Sequence, residues 1–233
     1  MKLRKIDVRA AAEMLRAIER YGLKNNKKLI EIAYALAQKY GEASGALACT
    51  MYDNIAETSG KYVPPAEVAD TATYSEVAKA VNGTLKTGSP QIVSDAVSTM
   101  VKRVGVETMM KNALRDGAEW AWIPNGDTCA FCLTLASRGW QRAGKKALKN
   151  GHAEHIHANC DCSYCVRFDS DTTVEGYDPE AYYEQYENAA SGSTKEKINA
   201  MRREHYAENR DAINAQKRAA YAARKERERQ GEA

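Results

Sequence analysis

Long apolar runs are missing from this 233-residue sequence. No uninterrupted apolar stretch approaches the roughly 18 to 20 residues that cross a lipid bilayer as a helix. The first residues are basic, but Glu13, Arg16 and Glu19 interrupt the stretch where the apolar core of a secretion signal would lie. We therefore expect a chain that carries no standard secretion signal and does not associate with a membrane.

A strong excess of one charge is missing as well. Lys and Arg number 34 against 31 Asp and Glu, a net charge of +3, whereas dedicated nucleic-acid binders are usually strongly basic. From Lys195 onward 11 Lys and Arg stand against 7 Asp and Glu, so this tail carries +4 and the rest of the chain −1. The charge of the whole chain therefore predicts no nucleic-acid binding, and only the tail is a candidate for it.

The first 118 residues lack the β-branched runs that buried parallel strands require. Their apolar residues recur at steps of three or four instead, which predicts a helical array rather than an α/β domain. We expect a first helix that ends at Gly22 and a second over residues 26–59. Pro65 suits the first turn of a third helix over residues 66–82.

Glycines divide the rest of this helical region. Ser89-Pro90 is expected to open a helix that Gly105 breaks, and a last helix is expected over residues 106–115. Within the second helix, Gly41 and Gly45 have two interpretations. Each either weakens the helix by roughly 1 kcal/mol relative to Ala or permits another helix to approach closely.

Residues 119–190 have a different pattern. Residues 120–123 are typical of a short strand, and alternation over residues 164–168 predicts a second strand that pairs with it. The predicted fold class is mainly α, with a helical domain over 1–118, a small zinc-stabilised α+β module over 119–190 and a charged helical tail over 191–233. A helix from Pro179 to about Ala190 closes the module.

Five of the six cysteines lie in this module, whereas Cys49 stands alone and is expected to be a small buried residue. Cys129-x-x-Cys132 places two sulfurs on one tight turn, and His157-x-x-Cys160-x-Cys162 supplies further nitrogen and sulfur ligands. Thiolate and imidazole are the ligands that Zn²⁺ favours, and four of them close a structural site. The sequence therefore predicts one structural Zn²⁺. Its candidate ligands are Cys129, Cys132, His157, Cys160 and Cys162.

The exact ligand set stays open, because Cys162 competes with His157 and Cys160 for the last position. His152, His155 and Cys165 are weaker candidates. Two alternative functions use the same residues: a zinc-dependent hydrolase or deaminase, and a zinc-finger-like nucleic-acid-binding module. His152-Ala153-Glu154 fits the H-x-E element of zinc deaminases, but that element precedes the cysteine pair in deaminases and follows it here.

The segment around the cysteines resembles a known family. Trp122-Ile123-Pro124 with the residues from Asp127 to Gly139, and then residues 157–162, resemble the Mu F-like minor head, or head morphogenesis, proteins of phages. The turn Gly176-Tyr177-Asp178-Pro179 is similar to one that often follows in that family. The resemblance covers about residues 120–180.

The resemblance implies a structural protein rather than an enzyme. It implies a phage or prophage component that associates with portal and capsid proteins at the capsid interior. Such a protein is found in the virion, and in the host cytoplasm during assembly.

The tail contains an internal repeat. Residues 198–207 align with residues 213–222, with Ile, Asn, Ala, Arg, Tyr and Ala recurring at an offset of fifteen. Because fifteen residues slightly exceed four helical turns, the repeated side chains share one drifting face. This helix either contacts packaged DNA without sequence preference or is a solvated helix supported by mixed charges.

Overall fold

A computed structural model describes residues 2–125, 129–144 and 162–229 of the chain. The chain divides into two compact units. The first unit comprises Met1–Gly126 and Trp140–Tyr177, and the second comprises Asp127–Gly139 and Asp178–Ala233. Residues 119–190 therefore contribute to both units, so the units follow spatial packing rather than the order of the three sequence regions.

Four helices form most of the first unit, which confirms a mainly helical fold. They are α1 (Lys2–Tyr21), α2 (Asn26–Thr58), α3 (Tyr74–Leu85) and α4 (Pro90–Asp116). Each helix contributes fully buried apolar side chains to one core, including Met14, Leu29, Val77 and Val97. The periodic apolar stripes of the sequence thus meet one another, as expected for amphipathic helices.

Helix α4 runs unbroken through Gly105, so the predicted break there is wrong. A Cβ atom at Gly105 would lie 2.6 Å from Oγ of the buried Ser44 on α2. The backbone carbonyl oxygen of Ser44 would lie 3.6 Å from the same Cβ atom, so α2 and α4 are in contact at this point. Gly41 has a similar role, since a Cβ atom there would lie 3.2 Å from a methyl group of Val104. Gly41 and Gly45 therefore permit close approach both by α4 and by the non-helical residues Val68 and Thr71, which would lie nearest to the added Cβ atoms.

The predicted start of the third helix is also wrong, because the helix begins at Tyr74 rather than at residue 66. Residues 61–73 form neither a helix nor a strand. Side chains from distant helices bind its backbone: Asp53 accepts from the Ala66 N–H at 2.9 Å, and Thr108 accepts from the Ala69 N–H at 3.0 Å. These hydrogen bonds satisfy two backbone N–H groups that would otherwise need acceptors, such as the carbonyl groups of a helix.

A capping box sets the true start of α3. The Thr73 hydroxyl accepts from the Glu76 N–H at 3.3 Å, and the Glu76 carboxylate accepts from the Thr73 N–H at 2.7 Å. Two donors of the first turn are thereby satisfied reciprocally.

A small antiparallel sheet completes the first unit. Its strands are β1 (Glu119–Ile123), β2 (Gln141–Arg142) and β3 (Ser163–Arg167), in the order β2-β1-β3. The predicted pairing of the two longer strands is confirmed, with Trp122 opposite Tyr164. Strand β2 was not predicted, because its two residues carry no alternating pattern.

Three further helices form the described part of the second unit: α5 (Ala130–Ala136), α6 (Pro179–Asn188) and α7 (Thr194–Arg229). The helix predicted from residue 179 is confirmed as α6. A small core joins the three helices through Ala130, Leu133 and Met201, which pack with partly buried residues of α6 and α7. Beyond Met201, residues 202–212 of α7 are exposed.

None of the helices in the described residues combines the length and the apolar character that crossing a membrane requires.

Candidate functional site

The cysteine pair lies at the start of α5. Cys129 is the N-cap residue, and its sulfur accepts a hydrogen bond from the Cys132 backbone N–H at 3.4 Å. Cys132 is buried on the first turn, whereas Cys129 is half-buried. A negatively charged sulfur accepts such a bond more strongly than a neutral thiol, so this turn suits a thiolate ligand.

The other described cysteines lie in the first unit. Cys162 is buried directly before β3, and Cys165 lies within β3 opposite Ala121. Burial raises the pKa of the Cys165 thiol, which disfavours the thiolate in the metal-free protein. Cys49 is half-buried on α2 rather than fully buried as expected, and burial also raises its pKa.

The predicted ligand set is only partly visible. Cys129 and Cys132 belong to the second unit and Cys162 to the first, while His157 and Cys160 lie outside the described residues. In the three described stretches no group of three or more His, Cys, Asp or Glu side chains is placed to hold a metal ion. The structure places Cys129 and Cys132 on one turn, and their two sulfur atoms fit two ligand positions of a thiolate-rich zinc site.

An aromatic cluster covers the sheet of the first unit. The ring of Tyr164 stacks on Trp120 with centroids 5.2 Å apart and meets the edge of Trp122 at 6.4 Å. Arg167 anchors the other end of β3, because its guanidinium lies 2.8 Å from the Glu119 carboxylate and 4.6 Å from the centre of the Trp140 ring. Trp120 and Trp122 are therefore buried core residues of the sheet, whereas Trp140 is half-buried beside Arg167.

A buried carboxylate on α1 was not singled out from the sequence. Asp7 is 7% exposed and accepts a hydrogen bond from the Val8 backbone N–H at 2.7 Å. Burial raises its pKa, while Lys102 and Arg4 oppose that rise. The signal in the sequence is weak, since a single Asp among the charged residues of α1 looks like part of its solvated face.

The base of the tail helix is fixed by one ion pair. Lys197 is buried, and its ammonium group lies 2.7 Å from the Glu187 carboxylate and 4.6 Å from the centre of the Tyr186 ring. A Ser193–Glu196 capping box begins the helix, with the Ser193 N–H donating to Glu196 at 2.6 Å. These contacts hold the first two turns of α7 against α6.

The rest of the tail presents basic and aromatic side chains. Lys217 lies over the ring of Tyr206, and Lys225 lies over the ring of Tyr221, each with 5.4 Å between the ammonium group and the ring centre. Tyr206 and Tyr221, which occupy equivalent positions of the fifteen-residue repeat, are both exposed. No acidic residue occurs in the sequence between Asp211 and Glu226, although this interval holds four Lys and Arg.

Comparison with known proteins places most of the chain in one family. No curated protein and no solved structure matches it significantly. A family model described as VG15 protein matches residues 1–189, which include all of the first four helices, the sheet and the cysteine pair but not the tail helix. The chain therefore belongs to the VG15 protein family, a family of viral gene products.

Proposed function

We propose that the chain is a structural minor head protein of a tailed phage or prophage, one that associates with portal and capsid proteins at the capsid interior. The observation that carries the proposal is the family match over residues 1–189. That match indicates a viral gene product, and the resemblance of residues 120–180 to minor head proteins points to the head rather than to another viral component. The helical fold with a buried tryptophan sheet is compatible with a structural role.

Particle composition tests this function. Heads purified from the phage or induced prophage that encodes the chain should contain the protein in few copies relative to the major capsid protein. Quantitative mass spectrometry of purified heads measures that ratio, with the major capsid protein as internal standard. Detection of the protein only in the soluble lysate, with none in the heads, would refute the proposal.

A structural Zn²⁺ is the second part of the proposal. Four of Cys129, Cys132, His157, Cys160 and Cys162 would hold it, and the Cys129–Cys132 turn supports two of those positions. When bound, Zn²⁺ supplies a redox-inert positive charge that fixes four ligands in a tetrahedron. The Cys132 N–H keeps the Cys129 sulfur oriented at the amino end of α5.

The tail is proposed to contact packaged DNA without sequence preference. The basic interval between Asp211 and Glu226 supports this assignment, because its exposed Lys217, Arg218 and Lys225 meet no acidic residue within the interval. Contacts of this kind go to phosphates, which are the same in every sequence.

A further inference from the structure

Helix α6 has an acidic face that is exposed. Its Tyr182 and Tyr186 pack in the small core of the second unit, whereas Glu180, Tyr183 and Glu184 lie on another side and are exposed. The helix contains three glutamates and no lysine or arginine. Neither Glu180 nor Glu184 forms an ion pair with any described residue. We call these three exposed residues the acidic face of α6.

Helix α7 has an exposed face of the opposite charge. Lys217 and Arg218 precede Tyr221 by four and three residues, and Lys225 follows it by four, so all four share one side of the helix. All four are exposed. Within the described part of the chain, none of the three cations forms an ion pair. These four residues are the basic face of α7.

The two faces match in spacing as well as in charge. Each contains one exposed tyrosine, with a charged residue three positions before it and another four positions after it. These residues are Glu180 and Glu187 around Tyr183, and Arg218 and Lys225 around Tyr221. Two helices that pack side by side therefore bring opposite charges together on both sides of the two rings.

The basic face cannot reach the acidic face of its own molecule. Glu187 near the end of α6 pairs with Lys197 at 2.7 Å, which fixes where the two helices meet. Lys217 lies twenty residues further along the unbroken helix α7, or about 30 Å at 1.5 Å per residue. Helix α6 has ten residues and is only about 15 Å long. An acidic partner for the basic face must therefore come from another molecule.

We propose that the basic face of α7 docks on the acidic face of α6 in a second copy of this chain. Because the two faces differ, the contact is head-to-tail, and each copy can engage two neighbours until a ring closes. The proposal needs neither the metal site nor the head function. DNA phosphates that bind the tail would occupy the same cations, so DNA competes with docking but is not required for it.

The association is expected to be weak and sensitive to salt. Exposed ion pairs are individually weak, and a contact between two short helix faces is smaller than a stable interface of about 1,600 Å². Sedimentation velocity of the full-length protein in reducing buffer should therefore show a sedimentation coefficient that rises with protein concentration at low salt. The rise should disappear at about 0.5 M salt, where screening limits attraction between charges to about 5 Å.

Substitutions on the acidic face leave the tail unchanged. Glu180→Gln with Glu184→Gln should weaken self-association about tenfold, the effect of losing two exposed ion pairs. The affinity for DNA should stay the same in this double variant, which separates docking on α6 from binding of DNA. Glu19→Gln with Glu42→Gln is the matched control, because it removes two exposed carboxylates from the first unit.

A mixing experiment tests the head-to-tail geometry. A second variant, with Lys217, Arg218 and Lys225 all replaced by Gln, lacks the basic face but keeps the acidic one. Each of the two variants alone should sediment as a monomer. Their mixture should form a 1:1 complex and nothing larger, because it contains one intact face of each kind.

Other outcomes would overturn the proposal. They are a protein that stays monomeric up to millimolar concentration at low salt, equal self-association of the acidic-face variant and its control, and a mixture that remains monomeric. Far-UV circular dichroism confirms that each variant retains its helices.

Discussion

At the scale of single residues, the described cysteines differ in what surrounds their sulfur atoms. Cys129 and Cys132 share the first turn of α5, where a backbone N–H already points at one sulfur. Cys165 and Cys49 lie in settings that raise their thiol pKa and so disfavour the thiolate. Of these four residues, only the first pair combines the spacing and the local geometry that a metal ligand needs.

The proposed zinc site predicts a difference between two kinds of Cys→Ser variant. Protein purified under reducing conditions should contain about one Zn²⁺ per chain by plasma mass spectrometry. Cys129→Ser and Cys132→Ser should each lose most of that metal, because a serine hydroxyl is a poor ligand for zinc. Cys49→Ser should retain it, since Cys49 lies on α2, far along the chain from the candidate ligands.

His157→Ala extends the zinc test to a residue outside the described part of the chain, and His205→Ala on the tail helix is its control. Loss of zinc in His157→Ala but not in His205→Ala would place the imidazole among the ligands. A wild-type protein that contains no zinc, or Cys49→Ser and Cys129→Ser variants with equal metal content, would contradict the site.

At the scale of secondary-structure elements, two glycines inside helices differ in their surroundings, because only Gly105 lies at the contact between α2 and α4. Gly105 lies against Ser44 on α2, whereas a Cβ atom at Gly83 on α3 would meet none of the described atoms within 4 Å. Both residues lie inside helices, where Ala is favoured over Gly by roughly 1 kcal/mol. The two positions therefore separate intrinsic helix propensity from packing.

Gly83→Ala should raise the free energy of unfolding by about 0.5 to 1 kcal/mol, because only helix propensity changes. Gly105→Ala should lack that gain and lower the free energy of unfolding by about 1 kcal/mol, because the added methyl group displaces the buried Ser44 hydroxyl. Urea unfolding followed by circular dichroism measures both. If Gly105→Ala were as stabilising as Gly83→Ala, the close approach at Ser44 would be incorrect.

Most helices and strands were predictable from the sequence, because the patterns that indicate them lie within the elements themselves. The apolar period identified α1 and α2, and alternation identified the pair β1 and β3. The start of α3 was missed because the N–H groups of Ala66, Glu67 and Ala69 donate to side chains that are distant in sequence. Their acceptors are Asp53, Asn112 and Thr108. A proline before an apolar run cannot reveal such partners.

The candidate sites show the same limit. The spacing Cys-x-x-Cys identified the turn at α5, since both residues are close in sequence. The first unit also contains a cavity lined in part by Asp7, Lys102 and Tyr164. It was not predictable, because these residues come from three separate parts of the chain. Their common environment exists only once the helices and the sheet have packed.

At the scale of the whole molecule, charge is distributed unevenly along the chain. The body carries −1 and the tail +4, and the family match ends at residue 189, before the tail helix begins. The tail has mixed charges in its first turns and only basic charges between Asp211 and Glu226. Such a tail can bind DNA without sequence-specific contacts. It needs only exposed cations that release counterions.

We therefore predict that the full-length protein binds DNA weakly through its tail, with an affinity that falls as salt concentration rises. With about three phosphates neutralised, the logarithm of the association constant should fall with the logarithm of salt concentration with a slope of about −3. Replacing Lys217, Arg218 and Lys225 with Gln should abolish most of the binding and flatten that slope. Replacing the exposed Lys24, Lys27 and Lys86 of the first unit with Gln removes the same charge elsewhere and should leave binding nearly unchanged.

Fluorescence anisotropy on two duplexes of equal length and unrelated sequence measures these constants at several salt concentrations. Equal affinity for both duplexes is expected, because phosphate contacts carry no sequence information. Equal losses in the two triple variants would show that net charge, and not the tail, governs binding. Strong preference for one duplex would instead favour the nucleic-acid-binding module over the structural head protein, because base recognition requires side chains fixed against base edges.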